Sequence, residues 1–468
     1  MSDERAASPV TPVWRISTCL PYDRLTLCSP GRVPDMGPEN SNLPSVAAEP
    51  AAEPSRLATM FRSLRHRDFA FFWTGNFLSN IGTWMQNLAL GWLVLEITNS
   101  PFLLGLNGFL GSLPLLFFSL PGGAIADRLN RRKLMLGTQT AMMVLALILA
   151  ILTSVRFIAI GEILVISFCT GLASALNAPA YQAVVLDLVP REDLTNAVAL
   201  NSAQFNMSRA IGPTLAGLAL GSLGAAGCFY LNSVSFLALI IALLAITVPR
   251  HLTEEGPSVW AAMVDGLRFV GKNRTIILLL SVPAFLSLFG LPFVVLMPVF
   301  ARDLLKVGAS GLGYLMAGAG LGAVTSALTL AAQSGIRQRG KYIVGSAALF
   351  ALALILLART QSFRWAFLLL VVLGATMVGT LTLTNSTLQL TSPRELRGRI
   401  MSMYNLAVLG LAPLGCLQAG AIAEALGVRF ALTLGGTVCL VYFLILFVFL
   451  PRLPRVAVLP TPELGIRD

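Results

Sequence analysis

Charge is scarce in this chain. Only 12% of its 468 residues are charged, against about a quarter in a soluble globular protein, while 56% are hydrophobic and the mean hydropathy is +0.77. That deficit excludes a soluble enzyme or scaffold and places the chain in a bilayer. Histidine is nearly absent: His66 and His251 both fall in loops. Six cysteines show no metal-site spacing. Cys169, Cys228, Cys416 and Cys439 lie in or at the ends of apolar runs as small apolar side chains, and Cys19 and Cys28 stand in the leading segment. No cluster of His, Cys or acids falls at one depth, and no phosphate-binding loop is present. An enzyme or ATPase is therefore not expected, nor any cofactor or metal.

What is present is a series of long apolar runs. A spanning helix needs about 20 apolar residues. Twelve such runs are expected, at 69–97, 102–125, 133–154, 158–187, 197–221, 225–248, 275–300, 311–333, 342–359, 364–390, 399–424 and 428–450. The net charge of +11 would point to nucleic acid in a soluble protein, but here it is distributed by loop. Loops of one parity hold Arg156, Arg302, Lys306, Arg359, Arg364 and Arg429, Arg209 lies inside a span, and the remaining Lys and Arg fall in the other loops and the tails. The positive-inside rule makes those other loops cytoplasmic, so both termini are expected in the cytoplasm of a multi-pass inner-membrane protein without a nucleic-acid partner.

The chain repeats itself. Leu104-Gly105 returns as Leu312-Gly313 and Arg131 and Lys133 return as Arg339 and Lys341, all at a shift of 208 positions. Val189-Pro190-Arg191-Glu192 returns as Ser392-Pro393-Arg394-Glu395, and Gly212-Pro213 as Ala412-Pro413. Two parallel six-helix halves follow, 61–248 and 275–450. The connection 249–274 is expected to be a cytoplasmic linker, with Val259, Met263, Leu267 and Val270 spaced as an amphipathic helix on the membrane surface. Residues 1–60 lack periodicity and are expected to be a disordered cytoplasmic tail, or the product of a start placed upstream of Met60. Residues 451–468 form a second tail.

The densest charge knot, Gly122-Gly123-Ala-Ile-Ala-Asp127-Arg128-Leu-Asn130-Arg131-Arg132-Lys133, joins the second and third runs. Its glycines allow close helix approach, and its basic residues mark a cytoplasmic loop. Two parallel six-helix repeats carrying this loop resemble the major facilitator superfamily over residues 62–450. Gly123, Asp127, Arg128, Arg131, Arg132 and Lys133 match its loop motif. Asn130 stands where that motif usually has glycine, as a residue tolerant of positive φ. The resemblance implies an all-α membrane fold of twelve helices in two bundles. It also implies a gate in which Asp127 meets the start of the eleventh span and closes the cytoplasmic side. Arg131 is expected to pair with Asp187. The alternative is that these charges only orient the loop. The second-half copy has Gly335 in place of Asp127, so such a latch is one-sided.

Gly212-Pro213 and Gly217 in the fifth span resemble the helix-kink signature of the superfamily's antiporters, with Asn201 and Phe205 replacing earlier glycines. The entry Phe61–Trp73 and the run Asp265–Val270 resemble the branch of enterobactin exporters and macrolide-efflux proteins. That resemblance implies export of a bulky, partly apolar small molecule in exchange for protons by a monomer. An importer or lysolipid flippase of the same fold, or a transport-dead receptor, remains open. Arg209 is the buried-charge candidate, with two readings: a charge facing a partner or cavity, or an arginine bonded to backbone carbonyls. Glu162 is the proton-coupling candidate. Asn80, Gln86, Asn87, Asn177, Tyr181 and Asn385 lie on spans that line the pathway in this superfamily.

Overall fold

The computed structural model describes residues 61–128, 130–247, 270–271, 273–332, 338–393 and 396–449, all within one compact unit. Both tails and nearly all of the linker, including the expected amphipathic helix, lie outside the described residues. The side chains of 119–128 lie outside them too.

All the regular structure described is helical. The spans are α1 Arg67–Thr98, α2 Pro101–Arg128, α3 Arg131–Ser154, α4 Ile160–Asp187, α5 (194–223), α6 (225–245), α7 Arg274–Leu304, α8 Gly308–Ala332, α9 Arg339–Arg359, α10 Phe363–Thr391, α11 Arg397–Leu426 and α12 Val428–Phe449. Helices α5 and α6 run as one stretch, Leu194–Ala245, broken at Gly224 with φ 68°, a left-handed conformation that glycine adopts without strain. Ten helical stretches among the described residues are long and apolar enough to cross a membrane, that joined pair counting as one. Helix α1 falls short because Asn76, Ser79, Asn80, Thr83, Gln86 and Asn87 occupy its middle.

Local chemistry sets the helix ends. Asn130 Oδ1 accepts from Lys133 N and caps α3, and Asn273 Oδ1 accepts from Ile276 N at the start of α7. Asn130 has φ −64°, so it serves as an N-cap and not as a stand-in for glycine at positive φ. Helix α1 ends at Asn99 and α11 at Gly427, both at positive φ.

Helix α1 packs on the Leu194–Ala245 stretch, α2 on α4, and α3 on α4 and α6. In the other half α8 packs on α10, and α9 on α10 and α12. The most extensive packing between the halves is α5 with α8 and α2 with α11, and α7 also meets α1 and α2. Glycines make these approaches possible. A Cβ on Gly212 would stand 2.5 Å from Trp84 Cβ, and one on Gly75 would stand 2.8 Å from the Ala238 carbonyl oxygen. The backbone stays helical through Pro213, and Gly224 is the only non-helical residue of its stretch. The repeat-related Pro413 differs: a π-helical turn, Leu406–Gly410, precedes it. Gly212 is a packing glycine against α1.

Candidate functional site

One face of α5 changes character along its length. Val198, Ser202, Phe205, Arg209, Ala216 and Leu220 recur at helical spacing. Val198 and Phe205 are each 48% exposed and Ser202 is exposed, Arg209 is half-buried, and Ala216 and Leu220 are buried. The opposite face stays open from Met207 through Leu218 to Ser222, as a lipid-facing surface does. The first face is therefore the wall of a central space. That space opens on the side where the Asn130–Lys133 loop lies, here the basic side, and closes toward the other, the far side.

Two further walls belong to it. On α1, Asn80, Trp84, Asn87 and Gly91 share a face: Asn87 is exposed, and Gly91 meets Pro298 and Leu104, where the space ends. The Trp84 ring stands edge-on to Phe205 at 5.9 Å. On α10, Thr382, Asn385 and Gln389 form a polar stripe toward the basic side, Gln389 Nε2 donating to Asn385 Oδ1 at 2.5 Å. Gly374 and Val378, on the same face toward the far side, are packed or buried.

The far side is closed by backbone contact and by charge at helix ends. A Cβ on Gly217 would stand 2.6 Å from Gly313 Cα, and one on Gly105 would stand 2.8 Å from Gly420 Cα. Arg302 Nη1 donates to the Leu95 carbonyl at 3.0 Å and to Asn99 Oδ1 at 2.7 Å, at the C-terminal end of α1. Glu424 Oε2 accepts from Ser100 Oγ at 2.9 Å and from Phe102 N at 3.1 Å, at the N-terminal end of α2. Each charge complements the partial charge of the helix end it meets, and each contact joins the two halves.

A family model described as transmembrane secretion effector, within the major facilitator superfamily, matches residues 58–462. The chain belongs to this family. It is a multi-pass membrane transporter and not an enzyme. Among proteins it resembles, the multidrug efflux pump Tap of Mycolicibacterium fortuitum is 25% identical over 80% of this chain and 93% of its own length. The staphyloferrin A transporter of Staphylococcus aureus is 25% identical over 56% of this chain, a match spanning 66% of that transporter. Macrolide efflux protein A of Streptococcus pyogenes is 24% identical over 50% of this chain and 59% of its own length. Two solved structures share the fold at low identity. A D-xylose–proton symporter has a TM-score of 0.67 at 12% identity over 83% of this chain and 98% of its own. An inward-facing, unoccupied bacterial homologue of the human lysosomal transporter Spinster has a TM-score of 0.64 at 14% identity over 82% and 97%.

In this transporter Asp127 and Arg128 end α2, and with Gly123 their side chains lie outside the described residues. The following basic residues are tied within the first half. Arg131 Nη1 lies 2.8 Å from Asp187 Oδ2, an ion pair joining α3 to α4. Arg132 donates to the carbonyls of Leu243 and Leu244 at 2.6 and 2.8 Å and so caps the end of α6. Beside them Asp193 binds Arg62 at 2.8 Å and His66 at 2.7 Å, pinning the segment before α1 to the α4–α5 connection.

The remaining candidates separate by location. Asn80, Asn87 and Asn385 are on the walls described above. Gln86 is buried and accepts from Asn232, Asn177 accepts from Thr138, and Tyr181 donates to Asn201 and accepts from Asn76, so these three bind helix to helix. Gly217 serves the far-side contact. Glu162 sits at the exposed start of α4, where its carboxylate accepts from Ala159 N at 2.8 Å as a helix cap. Arg209 is bonded to no backbone carbonyl among the described residues, and its Nη2 is buried without an acceptor. Sequence reasoning missed Trp84 and Phe205 as wall residues, and Arg302 with Glu424 as the far-side pair. The signal for that pair was available: two opposite charges flanking the spans of the second half on the charge-poor side.

Proposed function

We propose that this transporter is a secondary active exporter of a bulky, partly apolar small molecule of drug or siderophore type, moved in exchange for protons by alternating access. Support comes first from the α5 face, open at the basic side and buried beyond Arg209, which is the form of a pathway loading from one side. The basic loops favour the cytoplasm for that side, so the substrate enters from within the cell. The names of two relatives, the multidrug efflux pump and the macrolide efflux protein, agree with this direction.

In this reading the Gly217–Gly313 and Gly105–Gly420 contacts, with Arg302 and Glu424, form the outer gate. Asp127, with the Arg131–Asp187 pair beside it, forms the inner one. Each gate closes as the other opens. Cells expressing the chain and loaded with the uncharged dye Nile red are expected to extrude it faster than cells without it, and an uncoupler should abolish the difference. Faster Nile red accumulation on expression, or extrusion indifferent to the uncoupler, overturns the reading.

A further inference from the structure

We infer that the central site takes an anionic substrate, a compound bearing a carboxylate or similar oxyanion, and that Arg209 is the group that holds that charge. The inference rests on the reading of the chain as an exporter only in taking the central space as the substrate site.

Arg209 stands about 15 residues from both Leu194 and Gly224, roughly 22 Å of helix on either side at 1.5 Å per residue. It is thus at mid-membrane, on the α5 face that lines the central space, at the level where that face passes from exposed to buried. Its Nη2 is buried and donates to nothing, and no hydrogen bond or ion pair joins Arg209 to any described residue. A charge at that depth with unmet donors is costly and is retained where a partner arrives.

That partner does not come from the described residues around it. Among the described residues every carboxylate lies near a helix end: Asp68, Glu96, Glu162, Asp187, Glu192, Asp193, Asp303 and Glu424. Asp127 ends α2 on the basic side, far from mid-membrane. The interior at this depth is therefore positive. It repels a cation, and the planar guanidinium fork matches a carboxylate bidentately. Trp84 and Phe205 supply an aromatic surface beside it, and the Asn80 and Asn87 amides add donors. An anion leaving a cell also moves with the interior-negative potential, so its export needs no mid-membrane carboxylate.

The test compares two dyes with the same xanthene frame and opposite charge, carboxyfluorescein and rhodamine 6G. They are titrated by fluorescence anisotropy against the purified full chain in nanodiscs. Wild type is expected to bind carboxyfluorescein at least about tenfold more tightly than rhodamine 6G. Arg209→Gln should erase that preference, and Arg209→Lys should weaken carboxyfluorescein several-fold by losing the fork. Phe205→Glu, one turn before Arg209, keeps the arginine but supplies an internal partner, so it should also reverse the preference without removing any native charge. Absence of saturable carboxyfluorescein binding, equal binding of the two dyes by wild type, or an anion preference surviving both Arg209→Gln and Phe205→Glu overturns the inference. Arg209-dependent binding without uncoupler-sensitive efflux would sink the export reading and leave this one standing; efflux without anion preference would do the reverse.

Discussion

At Asn130 a side chain has taken over a task that differs from the one its position in the motif implies. Its φ of −64° needs no glycine, and its Oδ1 caps α3. Asn130→Ala is expected to cost about 1 kcal/mol and Asn130→Gly a few tenths, readable as the order of melting temperatures in detergent. Equal melting temperatures for wild type and Asn130→Ala would remove the cap from the account. Gly217 has the opposite character, since its value is the absence of a side chain. Gly217→Val puts atoms where Gly313 Cα lies within 2.6 Å of the added Cβ, an overpacking worth roughly 1–3 kcal/mol against the closed far side. Labelling of a Leu220→Cys reporter by an impermeant maleimide from outside should therefore rise. Unchanged labelling would mean that the halves do not separate at this contact.

At the scale of elements, the charges that join the halves on the far side meet helix ends, and among the described residues no ion pair links charged side chains of opposite halves there. Arg302 meets the Leu95 carbonyl in the last turn of α1, and Glu424 meets the Phe102 amide in the first turn of α2. Contacts of this kind contribute about 0.3–1 kcal/mol each when exposed. Arg302→Gln and Glu424→Gln are each expected to raise outside labelling of Leu220→Cys modestly, and the double variant more than either. No increase in the double variant would show that the glycine contacts alone close the gate. In the first half, by contrast, Arg131, Arg132 and Asp193 bind neighbouring elements of their own half. Those contacts can travel with the half as a rigid body.

For the whole molecule the proposed cycle sets the two gates against each other. Asp127→Asn is expected to weaken closure on the basic side, so labelling of Leu220→Cys from outside should fall where Glu424→Gln raises it. If both substitutions move the label in the same direction, the two sites do not act on one equilibrium. Outward movement of a monoanion gains about 2.3 kcal/mol per 100 mV of interior-negative potential. Uptake of a proton in exchange moves charge in the same sense. A potassium–valinomycin clamp that sets the potential to zero should therefore slow efflux of carboxyfluorescein more than efflux of an uncharged dye. Equal slowing would argue that the transported form is neutral.

Much of this was legible in the chain itself. The twelve helices end within four residues of the apolar runs because a bilayer imposes both length and composition on each span. The Arg131–Asp187 pairing was legible too, since both residues fall at one end of adjacent spans. What the sequence left open was facing. Gln86 and Asn87 are neighbours in the chain, yet one is buried against Asn232 and the other is exposed to the central space, a difference of 100° of helix rotation that only packing fixes. The same holds for Gly212 and Gly217, small residues expected to let a neighbouring helix pack closely, which meet different helices, α1 and α8 respectively. Composition and charge placement determined that this chain spans a membrane and in which order. Tertiary structure decided which polar groups hold helices together, and it left Arg209 on the inner face of α5 without a partner among the described residues.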